Sequence, residues 1–186
     1  MGERIILGAG EQAWEGWTAT QQEQLDLTNP SSFERFFSAE QADAFLCEHV
    51  WEHLTLQEGR AAARLCWRFI KSSGQLRVAV PDAHFPDAEY QRTVQVGGPC
   101  PADHPAADHQ IVYDVETFAE VFRQVGFEVT LLEYHDAKGQ FHRQPWSIAG
   151  GPVYRSALLD HRNAAYRSGQ GPLGFASIIL DARKRA

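Results

Sequence analysis

Short apolar runs bounded by glycine, proline and aspartate alternate along this chain with stretches whose apolar residues recur at helical spacing. That alternation predicts an α/β domain built on a mostly parallel sheet. Arg4–Leu7 reads as a buried strand ending in Gly8-Ala9-Gly10, with Trp17–Thr20 and Gln24–Leu27 as shorter strands. Asn29-Pro30-Ser31-Ser32-Phe33-Glu34 opens a helix; Ser31 and Glu34 have capping-box spacing, and Phe33, Phe36 and Phe37 form its buried side. Ala42–Cys47 is a further strand. Thr55-Leu56-Gln57-Glu58 is a second capping box, for a helix with Ala62, Leu65, Cys66, Phe69 and Ile70 on one face and Gly74 as its C-terminal cap. Leu76, Val78 and Val80 mark a strand that stops at Pro81-Asp82. Asp114 caps a helix carrying Phe118, Ala119, Phe122 and Val125, closed by Gly126; Phe127–Tyr134 and Phe175–Leu180 are the last two strands.

Two segments break the periodicity. Residues 81–113 and 135–174 are long and irregular, and stretches of that length inside a compact domain are usually functional. Trp146 and Tyr154 in the second of them either pair subunits or cover a pocket. The first crossover is also unusual. Six residues separate Gly10 from Trp17, fewer than a parallel crossover with a full helix needs, so the helix after the first strand is vestigial.

The length of 186 residues fits a single domain spanning 1–186 with a core that needs no metal or disulfide support. A formal charge of −7 and no dense Lys/Arg run argue against nucleic acid as a partner. A small molecule or another protein fits better. Three distant cysteines, Cys47, Cys66 and Cys100, suggest no disulfide framework and a reducing compartment. With no signal-peptide core after Met1 and no segment able to span a bilayer, the expected location is the cytoplasm and no membrane is engaged.

Chemistry concentrates in Cys47-Glu48-His49-Val50-Trp51-Glu52-His53-Leu54. His49-Val50-Trp51-Glu52-His53 spells H-x-x-E-H, a zinc-peptidase pattern that needs both histidines on one helical face. The capping box starts the helix at Thr55, so the motif falls in the turn before it, and the expected assignment carries no metal. A structural role is the plainer alternative, with Trp51 and Leu54 stapling the helix entry while the polar residues are solvated. Position favours a third reading, because a polar turn beyond the carboxyl end of a central parallel strand is where open α/β sheets bind ligands.

Several stretches together resemble a known family. "ILGAGEQAWEGW" (6–17), "AFLCEHVWEHL" (44–54), "FIKSSGQLRVAVPD" (69–82) and "VGF" (125–127) are similar to class I S-adenosylmethionine-dependent methyltransferases of the type 11 kind. "ADHQIVYD" (107–114), "LLEYHDAKGQFH" (131–142) and "YRSALLDHRN" (154–163) extend the likeness over nearly the whole chain. The resemblance implies a Rossmann-like sheet with an antiparallel last strand and adenosylmethionine across the carboxyl ends of the first strands. By position it places Gly8, Ala9 and Gly10 in the loop at the cofactor's amino-acid end, Gln21 at the ribose, Asp26 and Leu27 at the adenine, and Glu48 beside the ammonium or sulfonium charge.

Methyl transfer from a sulfonium requires alignment and, for a protic acceptor, removal of a proton. His49, His53 and His109 are the candidates for that task. Asp108 and Tyr113 flank His109 as candidate walls of an acceptor pocket, and Asp82 and His84 follow a strand's carboxyl end in the same way. The expected acceptor is a small molecule or peptide-like. Two rivals come from other classes: a non-catalytic methyltransferase-fold binding protein, and a metal hydrolase using His49, Glu52 and His53.

Overall fold

A computed structural model describes residues 3–37 and 41–185. Seven strands form one sheet: β1 (Arg4–Ile6), β2 (Thr18–Ala19), β3 (Ala42–Glu48), β4 (Ile70–Pro81), β5 (Glu128–His135), β6 (Phe141–Arg143) and β7 (Ser177–Arg183). Their spatial order is β2-β1-β3-β4-β7-β5-β6. β2, β1, β3 and β4 pair in parallel, while β7 lies antiparallel between β4 and β5, and β6 forms an antiparallel edge against β5. Among the described residues the α-helices are α1 (Pro30–Phe36), α2 (Leu56–Phe69), α3 (Ala88–Val94), α4 (Val115–Arg123) and the single turn α5 (Ala164–Arg167). This is the expected α/β sheet with an antiparallel last strand.

The caps show why the helices start where they do. Thr55 and Glu58 form the reciprocal capping box expected for α2, and the Asp114 side chain accepts from the Thr117 N–H at the start of α4. At α1 the expectation is corrected. Asn29 is the cap, accepting from the Ser31 N–H with Pro30 at the first helical position, and Glu34 pairs with Arg68 at 3.0 Å instead of turning back to Ser31. Gly74 does not cap α2 either. The helix passes straight into β4 at Ile70, and Gly74 sits in a bulge of that strand, where a Cβ would come within 2.8 Å of the Lys71 carbonyl and 3.0 Å of the Asp43 carbonyl. Gln24–Leu27 is not a strand but a turn, whose Leu25 and Leu27 reach the core.

The two faces of the sheet are covered differently. On one, Ile5, Phe45, Leu76 and Ala182 form a row, Cys47, Val78 and Leu180 the next, and α1, α2 and α4 lay Phe33, Phe37, Cys66, Phe118 and Phe122 upon them. Trp51 joins this core, packing on Phe122 and donating to the Gly59 carbonyl. The other face carries a smaller apolar cluster, including Ile6, Leu46, Ala79 and Ile179, overlaid by Trp14, Trp17, Trp146 and Val153. No helix connects β1 to β2; residues 7–17 are turns, as the short spacing implies. Segment 144–163 therefore closes that face.

Buried charge fastens the segment. Arg77 on β4 and Asp181 on β7 are cross-strand neighbours joined by two hydrogen bonds of 2.7 and 2.8 Å. The same guanidinium donates to the carbonyls of Ser147 (2.8 Å) and Gly151 (2.6 Å) and lies over the Trp146 ring. Glu133 on β5 accepts from the Trp146 indole at 2.8 Å and from the Ala157 N–H at 2.7 Å. Trp146 thus covers the sheet. Removing one member of a buried pair strands the other charge, so Arg77→Ala is expected to lower stability by about 3–5 kcal/mol. Urea unfolding checks this; a loss under about 1 kcal/mol contradicts the anchoring role.

Candidate functional site

The chain order reverses between β1 and β3: β2 lies to one side of β1 and β3 to the other. That makes their carboxyl ends a topological switch point, where a crevice opens in folds of this class. Gly8, Ala9 and Gly10 leave β1 there, and Glu48 and His49 leave β3. All five line one cavity of about 800 Å³, together with Gln12, Tyr154, Arg155, Asp160 and Arg162. The volume is in the range of small-molecule sites.

The glycine bend is built for close approach. Gly8 and Gly10 have φ of +60° and +55°. A Cβ on Gly8 would lie 2.7 Å from the Val50 side chain, whereas a Cβ on Gly10 would meet nothing within 4 Å and project into the open crevice. Gln21 holds the bend. Its amide donates to the Gly10 carbonyl at 2.7 Å, and its Oε1 accepts from the Gly10 N–H at 3.2 Å. A side chain expected at a ribose is thus engaged with the backbone.

A second cavity of about 440 Å³ adjoins Gly8 and is lined by Gln21, Leu25, Asp26, Leu27, His53 and Asp108. The positions expected at the nucleoside therefore share one hollow. Asp26 closes a turn with Oδ1, accepting from the Thr28 N–H and hydroxyl at 2.8 and 2.7 Å. Leu27 is largely buried in the helix-side core.

Glu48 is buried and fully engaged. Its carboxylate accepts from Gln12 Nε2 (2.7 Å), the Tyr154 N–H (2.8 Å) and the Arg155 N–H (2.8 Å), with the Arg155 guanidinium 3.7 Å away. Burial raises its pKa, and those four contacts oppose the rise. It acts as the clasp that draws residues 154–155 over the crevice, and it also lines that crevice. Tyr154, its ring tilted against Trp14 with centroids 4.8 Å apart, is part of the same cover.

His49 sits at φ +55°, a strained conformation for a side-chain-bearing residue. Its Nε2 lies 2.9 Å from Ser177 Oγ, which itself donates to the Arg155 carbonyl. That network places the imidazole proton on Nε2 and leaves a lone pair on Nδ1. Burial holds the ring neutral, well below the usual histidine range, and Arg155 adds to the effect.

A third cavity of about 440 Å³ brings His49, Glu52, His53 and His109 together with Arg155 and Phe175. The helical H-x-x-E-H arrangement is not formed, because the motif begins just after β3 and ends in a 3₁₀ turn, Trp51–His53. Glu52 is not solvated but buried at 1% exposure. Neither carboxylate oxygen has a hydrogen-bond partner, and burial pushes its pKa up to about 8.

Of the remaining expected site residues, Asp82, His84 and Tyr113 line none of these cavities. Asp82 is fully buried, accepting from the His84 N–H and from both the backbone and the ring of His135, so it braces β4 against β5 and cannot face an acceptor. His84 is half-buried and lines none of these cavities. Tyr113 is 1% exposed, packed on Phe118 beside Gly59 and Trp51, and is a core residue. Asp108 points to His53 Nδ1 at 2.7 Å. Residues 154–162 supply lining the sequence reading assigned to no role: Arg155, and Asp160 bonded to Arg162 at 2.6 and 2.9 Å. Charged residues clustered in an otherwise aperiodic segment were the available signal.

No protein-family model matches the chain, and no curated relative matches it by sequence. Solved structures do match over nearly all of it. An O-methyltransferase family protein from Burkholderia thailandensis superposes with a TM-score of 0.54 at 11% identity, covering 100% of this chain and 52% of the other; the chain spans about half the length of that protein. A SAM-dependent methyltransferase from Archaeoglobus fulgidus gives 0.54 at 10% identity, covering 98% and 86%. A SAM-dependent methyltransferase from Thermotoga maritima, described as a possible histamine N-methyltransferase, gives 0.51 at 14% identity, covering 100% and 83%. The fold is that of the class I methyltransferases.

The clasp at Glu48 is directly testable. Hydrogen bonds to a carboxylate contribute about 1.5–3 kcal/mol each. Glu48→Gln places an amide donor among three N–H groups, so exchange of the Tyr154 and Arg155 amides is expected to speed up by roughly tenfold or more. Unchanged protection at both amides contradicts the clasp.

Proposed function

We propose that the protein is an S-adenosylmethionine-dependent methyltransferase acting on a small-molecule or peptide-like acceptor. One observation carries the reading: in a class I methyltransferase fold, the Gly8–Gly10 bend and the Glu48–His49 corner line one crevice at the switch point. The crevice fits the cofactor's amino-acid end, because Gly10 carries no side chain and a Cβ there would project into the opening. Gly8, Ala9 and Gly10 would hold that end, with Asp26 and Leu27 in the adjoining hollow at the adenine. The bound cofactor supplies a methyl group on a sulfonium centre, a good leaving group.

The protein's own part is orientation, shielding and proton management. The 154–162 segment, clasped by Glu48, shields the crevice from water on one side. His49 lines both the large cavity and the histidine-rich one, and its unprotonated Nδ1 suits it to take a proton from an acceptor. Free thiols at Cys47, Cys66 and Cys100 favour the cytoplasm as its location.

A second reading is a methyltransferase-fold protein that binds without catalysis. The Gln21 amide favours it, since it closes on Gly10 where an acid would serve the ribose hydroxyls. Adenosylhomocysteine formation across a panel of acceptors separates the two readings. Binding itself is tested by calorimetry with adenosylhomocysteine. Wild type is expected to bind at one site and Gly8→Arg to lose detectable affinity while keeping its circular dichroism spectrum. Equal affinity in the two proteins removes the site assignment.

A further inference from the structure

We propose that Glu52, His53 and His109 form a binding site for a divalent transition-metal ion of the zinc class. One donor atom from each of the three lies within 4.8 Å of the others, the one such group among the described residues. Two imidazoles and a carboxylate are the three-ligand set of open zinc sites, and imidazole donors favour first-row transition ions over magnesium or calcium.

The surroundings orient the donors. Asp108 Oδ1 lies 2.7 Å from His53 Nδ1, and His109 Nδ1 donates to the Val94 carbonyl at 2.8 Å. A carbonyl only accepts, so His109 carries its proton on Nδ1; an ionised Asp108 imposes the same tautomer on His53. Both rings then keep the Nε2 lone pair free. Fixing one ring nitrogen by a carboxylate or carbonyl so that the other can ligate is how proteins prepare histidines for metals. The rings meet edge to face at 5.0 Å.

Glu52 supplies the independent observation. Its two buried carboxylate oxygens accept no hydrogen bond from the protein. His49 Nδ1, 3.3 Å from Oε1, presents a lone pair and not a donor. Neighbouring cations are engaged elsewhere, Arg162 with Asp160 and Arg155 facing Glu48. An ion between Glu52 and the two imidazoles satisfies the carboxylate. The backbone holds the set together, because the Glu52 carbonyl accepts from the N–H groups of Gln110 (2.8 Å) and Ile111 (3.3 Å), beside His109. All three residues line the histidine-rich cavity, which leaves further coordination positions to a ligand from that side.

His109 thus replaces His49 of the literal H-x-x-E-H reading, since the His49 ring turns to Ser177. The site does not depend on the cofactor reading, and its test uses the metal alone. Untagged, chelator-stripped protein is titrated with zinc chloride by calorimetry, and with cobalt(II) by visible absorption. Wild type is expected to bind one ion, with visible cobalt bands and a raised thermal midpoint in zinc. Asp108→Asn is expected to weaken zinc about 10–100-fold, and Glu52→Gln or His109→Ala by at least as much. His142→Ala, whose ring is bonded to Asp136 outside this cavity, leaves affinity unchanged. Glu52→Gln is close to isosteric, so its fold is retained while the zinc-induced rise in midpoint disappears. Equal zinc affinity in wild type, Glu52→Gln and His109→Ala overturns the site.

Discussion

The arrangement depends on charges buried in one face of a β-sheet. A doubly wound sheet ordinarily covers both faces with helices. Here the link from β1 to β2 is turns alone, and the face it leaves is closed by irregular chain. Such chain has unsatisfied backbone groups, and burying them requires partners. Glu48, Arg77, Asp181 and Glu133 are those partners or brace them, each on the same face and each bonded to residues between 146 and 157 or to a group that is. Apolar side chains alone could not hold a segment without periodicity in one place, because they give no direction to its N–H and C=O groups.

The crevice follows from that cover. Switch-point geometry opens a gap between β1 and β3, and the clasped segment turns the gap into a walled cavity. Glu48 links the two levels. It ends the central strand, faces the crevice, and holds the chain that roofs it. Gln21 does a comparable task at the other wall by fixing the glycine bend. Both are positions at which the resemblance implies direct cofactor contact, and at both the side chain is engaged in shaping the cavity. In the third cavity, beside His49, burial keeps an imidazole neutral and leaves a carboxyl without a hydrogen-bond partner.

What the sequence made legible was whatever has a local cause. The Thr55 and Asp114 caps, the apolar strands, the missing first helix and the switch-point position of residues 8–10 and 48–53 all follow from residues close together in the chain. Boundaries set by distant partners were not legible. β7 runs past its apolar stretch to Arg183 because Asp181 has Arg77 across the strand. Helix α3 was hidden in 81–113, since only Tyr90 and Val94 reach a core from its seven residues. The roles of Asp82 and Tyr113 were not legible for the same reason: His135, which holds Asp82, and Trp51 and Gly59, beside Tyr113, lie far along the chain. The pairing of Glu52 and His53 with His109 joins a strand-end turn to an irregular loop, and no spacing rule reports it.

The central claim is that a sulfonium nucleoside occupies the gap between the glycine bend and the end of β3. A crystal structure grown with adenosylhomocysteine tests it most directly. The account predicts ligand density against Gly8–Gly10 and His49, with the adenine in the hollow lined by Asp26 and Leu27. Density at any other place, or an empty crevice at saturating ligand, contradicts it.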